Sequence, residues 1–402
     1  MPIFPGWESL TYIFATRIPK FRFACYRMIL ISITILFFAV YSFLIIFYWR
    51  TWVKIPSFVA GASAQTRPVS IIVPARNEKK NIARLLTSLQ LQNYPTQLTE
   101  TIVVDDHSED DTADIARKFP GVTVVQLQED SLNSYKKKAI ETGIKKSTGE
   151  IIVATDADCV VGPAWLNTLV SFKDQYHSVF LAAPVGFIDD SVGSNKLLYN
   201  FQTLDFLVLQ GITAVSVFSR SHSMCNGANL AYEKKVFHEV NGFEGIDHIA
   251  SGDDMLLMHK ISKQYPDRVH YIKSRDSIVY TQAAASWKEF FNQRIRWASK
   301  ANQYDEKRIY WILLLVYLFN LCFLVLLIAG FRNSSYWFWA LVLWVAKTII
   351  EFPFVNAVAA FFGKRSLMKY FFFLQPLHIF YTIIAGLFGQ FGKYEWKGRK
   401  VR

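Results

Sequence analysis

The chain has few cysteines and few charged side chains for its 402 residues. The four cysteines are widely separated, without a C-x-x-C pair or the spacing of a metal site. They are therefore interpreted as structural or incidental thiols in a reducing compartment. Charged residues make up only 19% of the chain, against 52% hydrophobic and 16% aromatic residues. This balance favours an integral membrane protein over a soluble enzyme of this size.

The sequence also lacks a recognisable nucleic-acid-binding module, although it is strongly basic. Its formal net charge is +12, and the basic residues are scattered along the chain. Such a charge suits anionic lipids or phosphorylated substrates. We therefore expect the lipid bilayer and a phosphorylated small molecule as partners, and no nucleic acid.

The first long apolar run contains no charged residue. It extends from Met28 to Tyr48, about the twenty residues that a helix needs to cross a bilayer. No small-residue cleavage pattern follows it, so a removed signal peptide is not expected. The sequence thus predicts an N-terminal flank at 1–27, a transmembrane helix at 28–49 and a linker at 50–67.

Residues 68–300 have the composition of a soluble domain. Short apolar runs typical of strands alternate there with helical patterns. The strand-like runs are Val69–Val73, Glu100–Val104, Val122–Gln126 and Glu150–Ala154, and the clearest helical patterns are Asn81–Gln92 and Thr112–Lys118. This alternation predicts the α/β class, with a mostly parallel central sheet and transmembrane α-helices on both sides of the domain. Ligands of such sheets bind at the carboxyl ends of the strands.

A membrane region of about three segments is predicted for 309–391, followed by a basic tail at 392–402. Three full crossings would place the tail opposite the soluble domain. A re-entrant or interfacial last segment, broken at Pro376, is one solution, and a different insertion of the middle segment is another. Lys347 and Glu351 lie one helical turn apart in that middle segment. They either line a path for lipid or product or form a structural pair between helices.

An acidic pair comes directly after the strand-like run that ends at Ala154. Asp156 and Asp158 are carboxylates at alternate positions, and at the end of a parallel strand they suit a hard divalent cation that also holds a diphosphate. Alone, this Asp-x-Asp motif is a weak signal. Further elements accompany it, namely Asp105-Asp106, Gly252-Asp253-Asp254 and Gln293-Arg294-Ile295-Arg296-Trp297. The whole set indicates sugar transfer from a nucleotide donor.

Two further segments have residues suited to such a donor. Pro74–Glu78 ends the first strand in a loop whose backbone and carboxylate can meet a nucleoside. Gln293 and Arg296 are spaced i, i+3 and face one side of a helix, where an amide and a guanidinium suit a diphosphate. The helix, expected near 287–300, can instead lie on the membrane interface, where Arg and Trp are common. Both interpretations are compatible.

These motifs resemble those of inverting family-2 glycosyltransferases of the GT-A fold. Within that family the chain is similar to the membrane-embedded branch of cellulose, hyaluronan and poly-N-acetylglucosamine synthases. The resemblance rests on the segments Ser70–Glu78, Val104–Ser108, Asp156–Asp158, Gly252–Asp254 and Gln293–Trp297. The last segment matches the synthase pattern Q-(Q/R)-x-R-W at every specified position.

The resemblance implies a role for each site residue. Asp105 is expected at the nucleobase, and Asp158 is the expected ligand of Mg²⁺ or Mn²⁺, which neutralises the diphosphate leaving group. Asp254 is the expected general base, which deprotonates the acceptor hydroxyl as it attacks the anomeric carbon. Trp297 is expected to stack on the acceptor sugar. The substrate-binding residues are Pro74, Ala75, Glu78, Asp105, Lys136, Asp156, Gln293, Arg296 and Trp297.

Structural interpretations of the same residues stay open at this point. Asp105 can belong to a helix cap, and Lys136 to a solvated charge run that precedes a helix. Asp253 can be an N-cap residue of the helix that begins at Met255. Asn229 can satisfy a turn and is given no catalytic part.

The sequence thus predicts an inverting, metal-dependent glycosyltransferase. It would move a sugar from a nucleotide-diphospho-sugar, expected to be a UDP-sugar, to a lipid-linked or growing saccharide acceptor. A processive polysaccharide synthase is the alternative within this class. The alternative of another class is a non-catalytic membrane scaffold that keeps a nucleotide-sugar fold. We expect a multi-pass protein of the cell inner or plasma membrane with a cytoplasmic catalytic domain, since nucleotide sugars are cytosolic.

Overall fold

A seven-stranded sheet forms the centre of the domain that follows the first long helix. The structure, a computed structural model, describes residues 7–401 except 62–65, 130–131, 133, 190–194, 223, 248, 250–251, 300–306, 392–393 and 397–398. The strands of this sheet are β1 (Val69–Ala75), β2 (Thr99–Asp105), β3 (Val122–Gln126), β4 (Ile151–Ala154), β6 (Phe180–Ala182), β8 (Leu230–Glu233) and β9 (Val269–Tyr271). A second sheet contains β5 (Val160–Val161), β7 (Val185–Phe187) and β10 (Val279–Thr281).

The central sheet is mostly parallel. Its strand order is β3-β2-β1-β4-β8-β6-β9, and only β8 runs antiparallel to its neighbours. The strands β1, β2 and β4 are rich in Val and Ile and are buried along most of their length. Continuous apolar strands of this kind are typical of a parallel sheet that is covered on both faces. The predicted α/β class with a mostly parallel central sheet is confirmed.

Short helices connect and cover these strands. They are α2 (Ile82–Gln90), α3 (Thr112–Arg117), α4 (Tyr135–Lys146), α5 (Trp165–Gln175), α7 (Lys234–Glu239) and α8 (Met255–Gln264), with a 3-10 turn at Thr96–Leu98. The prediction that the lysine run precedes a helix was wrong, because Lys136–Lys138 lie inside α4. Its members have different surroundings. Lys137 is buried and donates to the carbonyls of Ile246 and Ile249, both at 2.6 Å, whereas Lys138 pairs with glutamates at the surface.

One long helix, α6 (Lys196–Phe218), was not predicted from the sequence. It packs against β7 and β9 on one side and against long apolar helices on the other. A Cβ atom on Gly211 would lie 2.7 Å from Val358 Cγ2, so glycine permits the close approach of α6 to its neighbour. Its start carries a recognisable signal, since the Asn195 side chain accepts from the N–H groups of the first turn.

In the described residues, five helices are long and apolar enough to cross a membrane. Besides α6 they are α1 (Trp7–Lys54), α10 (Lys307–Gly330), α11 (Ser335–Phe361) and α12 (Met368–Phe391). The first helix is longer than the predicted 28–49 segment and takes in the start of the predicted linker. A break at Pro376 in the last segment was one of the solutions that the sequence left open, and the structure does not have it, since α12 is helical on both sides of this proline.

Helix α12 lies beside the helix that carries the Gln293–Trp297 motif, α9 (Trp287–Ala298). A 3-10 turn at Arg365–Leu367 leads into α12. Strands β11 (Tyr394–Trp396) and β12 (Arg399–Val401) follow it as an antiparallel pair, and β11 also contacts α9. The last apolar segment therefore runs along the edge of the domain.

Two basic residues of the domain bind the ends of apolar helices. Lys273 Nζ donates to the carbonyl oxygens of Trp52 at 2.9 Å and Ile55 at 3.1 Å, at the end of α1. Arg275 donates to the carbonyl oxygens of Phe361 at 3.0 Å and Ala360 at 2.9 Å, at the end of α11. Cations there satisfy the last carbonyls of a helix and its dipole. Both α1 and α11 therefore end at the domain.

The predicted pair inside α11 forms, and it belongs to a larger polar network. Lys347 Nζ lies 2.7 Å from Glu351 Oε1 and 2.5 Å from Gln375 Oε1 of α12. Gln375 Nε2 donates to Glu351 Oε2 at 2.6 Å, and the Tyr41 hydroxyl of α1 donates to the same carboxylate. The Lys347 side chain is fully buried and Glu351 is 9% exposed. This network joins three helices, as the structural interpretation of the pair predicts.

Candidate active site

A cavity of about 470 Å³ lies where the loops after β1 and β4 meet α9. This is the carboxyl edge of the parallel strands, where ligands of such sheets bind. Every predicted site residue except Asp105 lines it. These residues are Pro74, Ala75, Glu78, Lys136, Asp156, Asp158, Asp254, Gln293, Arg296 and Trp297.

The loops after β1 and β2 are fixed to each other by Arg76, which the sequence analysis did not single out. Its Nη1 donates to the carbonyl oxygens of Asp106 at 2.9 Å and His107 at 3.0 Å. Each loop also holds a non-glycine residue at positive φ, Asn77 at 53° and His107 at 52°. Such backbone conformations are uncommon and need support from their surroundings. Arg76 supplies that support on one wall of the cavity.

Asp105 lies below the cavity surface. Its carboxylate is buried, accepts from Gln126 Nε2 at 2.7 Å and is 3.4 Å from the Ser108 backbone nitrogen. The other oxygen, Oδ1, has no hydrogen-bond partner among the described residues. Helix α3 has Asp111 as its N-cap residue, so the helix-cap interpretation of Asp105 was wrong. Asp106, the next residue, reaches the cavity instead.

Lys136 places a positive charge between two carboxylates. Its Nζ lies 2.7 Å from Asp156 Oδ1 and 3.2 Å from Asp253 Oδ2. Burial alone would lower the pKa of Lys136, but the two carboxylates outweigh it and raise this pKa well above its usual value. The ammonium group is therefore charged, and with 22% of the side chain exposed it faces the cavity.

Asp158 belongs to the acidic loop, residues 155–159, which follows β4. It is held in place by the second sheet. The hydroxyl of Thr281, in β10, donates to Asp158 Oδ2 at 3.0 Å. Within the described part of the chain, no three His, Cys, Asp or Glu side chains are grouped to hold a metal ion. Mg²⁺ and similar ions are commonly held by one or two carboxylates together with substrate phosphates and water. Asp158 fits a site of that type, in which the protein contributes a single carboxylate.

Asp254, and not Asp253, is the N-cap residue of α8. Its Oδ1 accepts from the Met255 N–H at 2.7 Å, and its Oδ2 accepts from the Gly227 N–H at 3.0 Å. The expectation that Asp253 caps this helix was therefore wrong. A Cβ atom on Gly227 would lie 2.9 Å from Asp253 Oδ2 and 3.1 Å from Lys136 Nζ, so a side chain here would displace the ends of these two charged groups.

Helix α9 forms the wall opposite the acidic loop. Its start resembles a capping box, in which the N-cap Ser286 accepts from the Glu289 N–H and Glu289 accepts from the N–H of Ala285, the residue before the N-cap. Gln293, Arg296 and Trp297 line the cavity, as their spacing predicts. The intervening Arg294 points away from it and is buried against α6.

Three residues that are not among the predicted site residues hold the site together. Asp253 and Thr281 contact predicted site residues, and Asp205 of α6 binds Arg294. A single aspartate in an otherwise mostly apolar helix was the available signal for Asp205. Asn229 is fully buried and binds the Trp165 indole together with two backbone carbonyls, in agreement with its non-catalytic interpretation.

The sheet and its edge cavity are those of the family 2 glycosyltransferase fold. Residues 70–240 match the family model described as Glycosyl transferase family 2. Residues 70–240 therefore resemble a family 2 glycosyltransferase domain.

Known proteins resemble the chain over part or all of this arrangement. Glycosyltransferase AglE of Haloferax volcanii is 28% identical over 190 residues, which are 46% of this chain and 59% of that protein. The probable glycosyltransferase YdaM of Bacillus subtilis is 24% identical over 241 residues, 59% of this chain and 55% of that protein. The chain thus spans less than two thirds of the length of these relatives.

A mannosyltransferase from Pyrobaculum calidifontis, solved in complex with GDP-Man and Mn²⁺, has a similar structure. The TM-score is 0.51 with 19% sequence identity, and the match covers 89% of this chain and 99% of the other. At this identity the likeness shows the fold alone.

Proposed function

We propose that the protein is an inverting glycosyltransferase that uses a nucleotide-diphospho-sugar donor at a membrane surface. One observation carries the proposal. Charged residues from distant parts of the chain, which have no packing reason to meet, line one cavity at the sheet edge opposite Gln293, Arg296 and Trp297. The family match and the glycosyltransferase names of the relatives support the same reaction class.

The donor diphosphate is proposed to lie between the acidic loop and α9. Lys136 and Arg296 are two of the cations that line the cavity, and Asp158 would hold Mg²⁺ or Mn²⁺. When bound, the metal ion would neutralise negative charge on the leaving diphosphate. Asp156 would contact the ribose, and Glu78 the nucleoside. We expect a UDP-sugar, although the neighbour of similar fold holds GDP-Man.

Asp254 is proposed to take the proton from the acceptor hydroxyl as the anomeric carbon is attacked. Its carboxylate accepts from two backbone N–H groups, which fix the direction of both oxygens. A fixed carboxylate at the cavity suits an in-line displacement that inverts the anomeric centre. Asp253 is the second candidate for this base, since it shares the cavity and contacts Lys136.

The acceptor is proposed to be lipid-linked or a growing saccharide, used at the cytoplasmic membrane face. The capping of α1 and α11 by Lys273 and Arg275 supports a domain held at one face of the bilayer. Lys364, before α12, lies 2.9 Å from Asp189 of the domain, and β11, after α12, contacts α9. Both ends of α12 thus lie near the domain, which supports an interfacial or re-entrant last segment. A processive polysaccharide synthase remains the alternative within this class.

A donor panel tests the proposal directly. The purified protein is incubated with Mn²⁺ or Mg²⁺ and each common nucleotide sugar, and released nucleoside diphosphate is measured. We expect release with at least one donor and its loss on chelation. Mass analysis of products made in native lipid then separates single transfer from polymer formation. No release with any donor, by protein that is folded, would contradict the proposal and favour a non-catalytic scaffold.

A further inference from the structure

Arg294 belongs to the Gln293–Trp297 motif but lies outside the cavity lining. Its Nε donates to Asp205 Oδ2 at 2.8 Å, and its Nη2 lies 2.6 Å from the same oxygen. The two side chains are only 4% and 3% exposed. A buried ion pair thus joins α9 to α6 directly behind the cavity wall.

Arg294 contacts two residues that do line the cavity. Its Nη1 donates to Gln293 Oε1 at 2.8 Å, and its guanidinium carbon lies 4.3 Å from the centroid of the Trp297 ring. Because a guanidinium can only donate, the Gln293 atom that faces it must be the amide oxygen. The amide NH₂ of Gln293 is then the group directed elsewhere, as a donor suited to phosphate or sugar oxygens. The planar cation also limits how the Trp297 ring can turn.

Asp205 is itself held from a third helix. The Tyr381 hydroxyl of α12 donates to its Oδ1, so one carboxylate joins α6, α9 and α12. The next residue of α6, Phe206, lines the cavity, and its ring centroid lies 6.3 Å from that of Trp297. Helix α6 therefore restrains Trp297 by two routes, through Arg294 and through Phe206.

We propose that Asp205, acting through Arg294, is a positioning residue that sets the Gln293 amide and the Trp297 ring on the α9 side of the cavity. The inference rests on the proposed function, because that function supplies the substrate that the Gln293 amide and the Trp297 ring would contact. Stability alone does not account for the pair, because well-packed apolar residues of similar volume often stabilise a protein as well or better. An apolar pair, however, offers neither the donor to Gln293 nor the flat cation beside Trp297.

The experiment compares Asp205→Leu, Arg294→Met and the double variant in the full-length protein in detergent. Each single variant leaves a buried charge alone, so both should lower the thermal midpoint and the transfer rate. The double variant should regain part of the midpoint, because no buried charge is left alone and only the Tyr381 hydroxyl still lacks its acceptor. Its transfer rate should stay about ten- to a hundredfold below the wild type, because small misplacement of a substrate-contacting group has effects of this size. Recovery of transfer together with the midpoint would overturn the proposal.

A second readout does not depend on activity. Protein labelled with 5-fluorotryptophan gives a ¹⁹F resonance for Trp297, assigned by its absence in Trp297→Phe. In the double variant this resonance should shift or split, because the ring has lost its restraint, and an unchanged single resonance would overturn the proposal. If the wild type turns over no donor, the proposed function fails, while the ¹⁹F result still decides the positioning role.

A control comes from another ion pair of the domain, in which Lys173 is buried and the Glu233 side chain is 24% exposed. Lys173 Nζ in α5 lies 3.1 Å from Glu233 Oε1, and neither residue lines the cavity. Lys173→Met should lower the thermal midpoint and leave the Trp297 resonance unchanged. A shift of that resonance in the control as well would assign the effect to general loosening of the domain and overturn the specific role of Asp205.

Discussion

Two lysines of this protein occupy similar local arrangements in very different places. Lys136 lies between Asp156 and Asp253 at the edge of the sheet, and Lys347 lies between Glu351 and Gln375 among the long apolar helices. The first is 22% exposed and faces a cavity of about 470 Å³. The second is fully buried, and its neighbours also bind one another.

The difference lies in what can replace the partners of each lysine. At the cavity, a charged ligand can enter and take over contacts that the carboxylates now make. Between the helices, the cost of removing the charges from water has already been met by mutual pairing, and the loss of one partner leaves a buried charge alone. Charges at the cavity should therefore control activity, and charges between the helices should control stability.

The largest expected effect is the loss of metal-dependent turnover in Asp158→Ala. This residue is proposed to supply the protein's carboxylate to the metal ion, and loss of that ion removes several kcal/mol of transition-state stabilisation. Nucleoside diphosphate release should fall to background, with an unchanged thermal midpoint. Wild-type release by the variant, or by the wild type in excess chelator, would rule out the metal assignment.

Asp254→Asn should lower turnover by about 10²–10⁴-fold, since a general base commonly contributes this much. Asparagine can accept from only one of the two backbone N–H groups, but it is a good N-cap residue, so α8 should stay folded and nucleotide affinity should change little. The measurement is turnover at saturating donor beside nucleotide binding by calorimetry. Should affinity collapse while bound donor still reacts, Asp254 would be a binding residue, and Asp253 would become the candidate base.

The two lysines provide a matched pair of variants. Lys136→Met should reduce turnover by about 10–100-fold, the range of a charge-assisted hydrogen bond to a phosphate, with a small change in midpoint. Lys347→Met should leave turnover per folded molecule unchanged and should destabilise the protein by about 3–5 kcal/mol, because Glu351 loses its buried partner. Turnover and thermal unfolding are measured for both variants. Equal effects of the two variants on turnover would contradict the distinction between charges at the cavity and charges between the helices.

The smallest effects are expected on α9, where Arg296→Ala and Trp297→Ala should separate two activities. Loss of Arg296 should weaken donor use even when water is the acceptor, since the guanidinium is proposed to meet the diphosphate. Loss of Trp297 should spare donor hydrolysis and lower transfer by about tenfold, the size of one sugar-stacking contact. Trp297→Phe should restore part of the transfer. Equal losses of hydrolysis and transfer in Trp297→Ala would instead indicate a helix that only anchors the domain.

The sequence was most informative where short-range patterns decide the structure. The run Val122–Gln126 is a strand with the predicted bounds, and the three helices α10, α11 and α12 together begin and end within two residues of the region predicted at 309–391. Helix α6 was not predicted, because it is buried by the sheet on one side and by apolar helices on the other. It therefore shows neither a clean amphipathic stripe nor a charge-free run.

The residue types of the candidate site follow from the sequence alone, because strand ends in an α/β domain bring Asp156 and Asp158 to the sheet edge whatever the loops do. Which neighbours they meet was decided by the tertiary structure. Lys136 turns toward Asp253, and Asp254 caps α8. Asp205 binds Arg294, which is far from it in the sequence. Pattern and spacing act over one or two turns of chain, whereas a charge in a protein interior takes whichever partner the packed helices bring within hydrogen-bond distance.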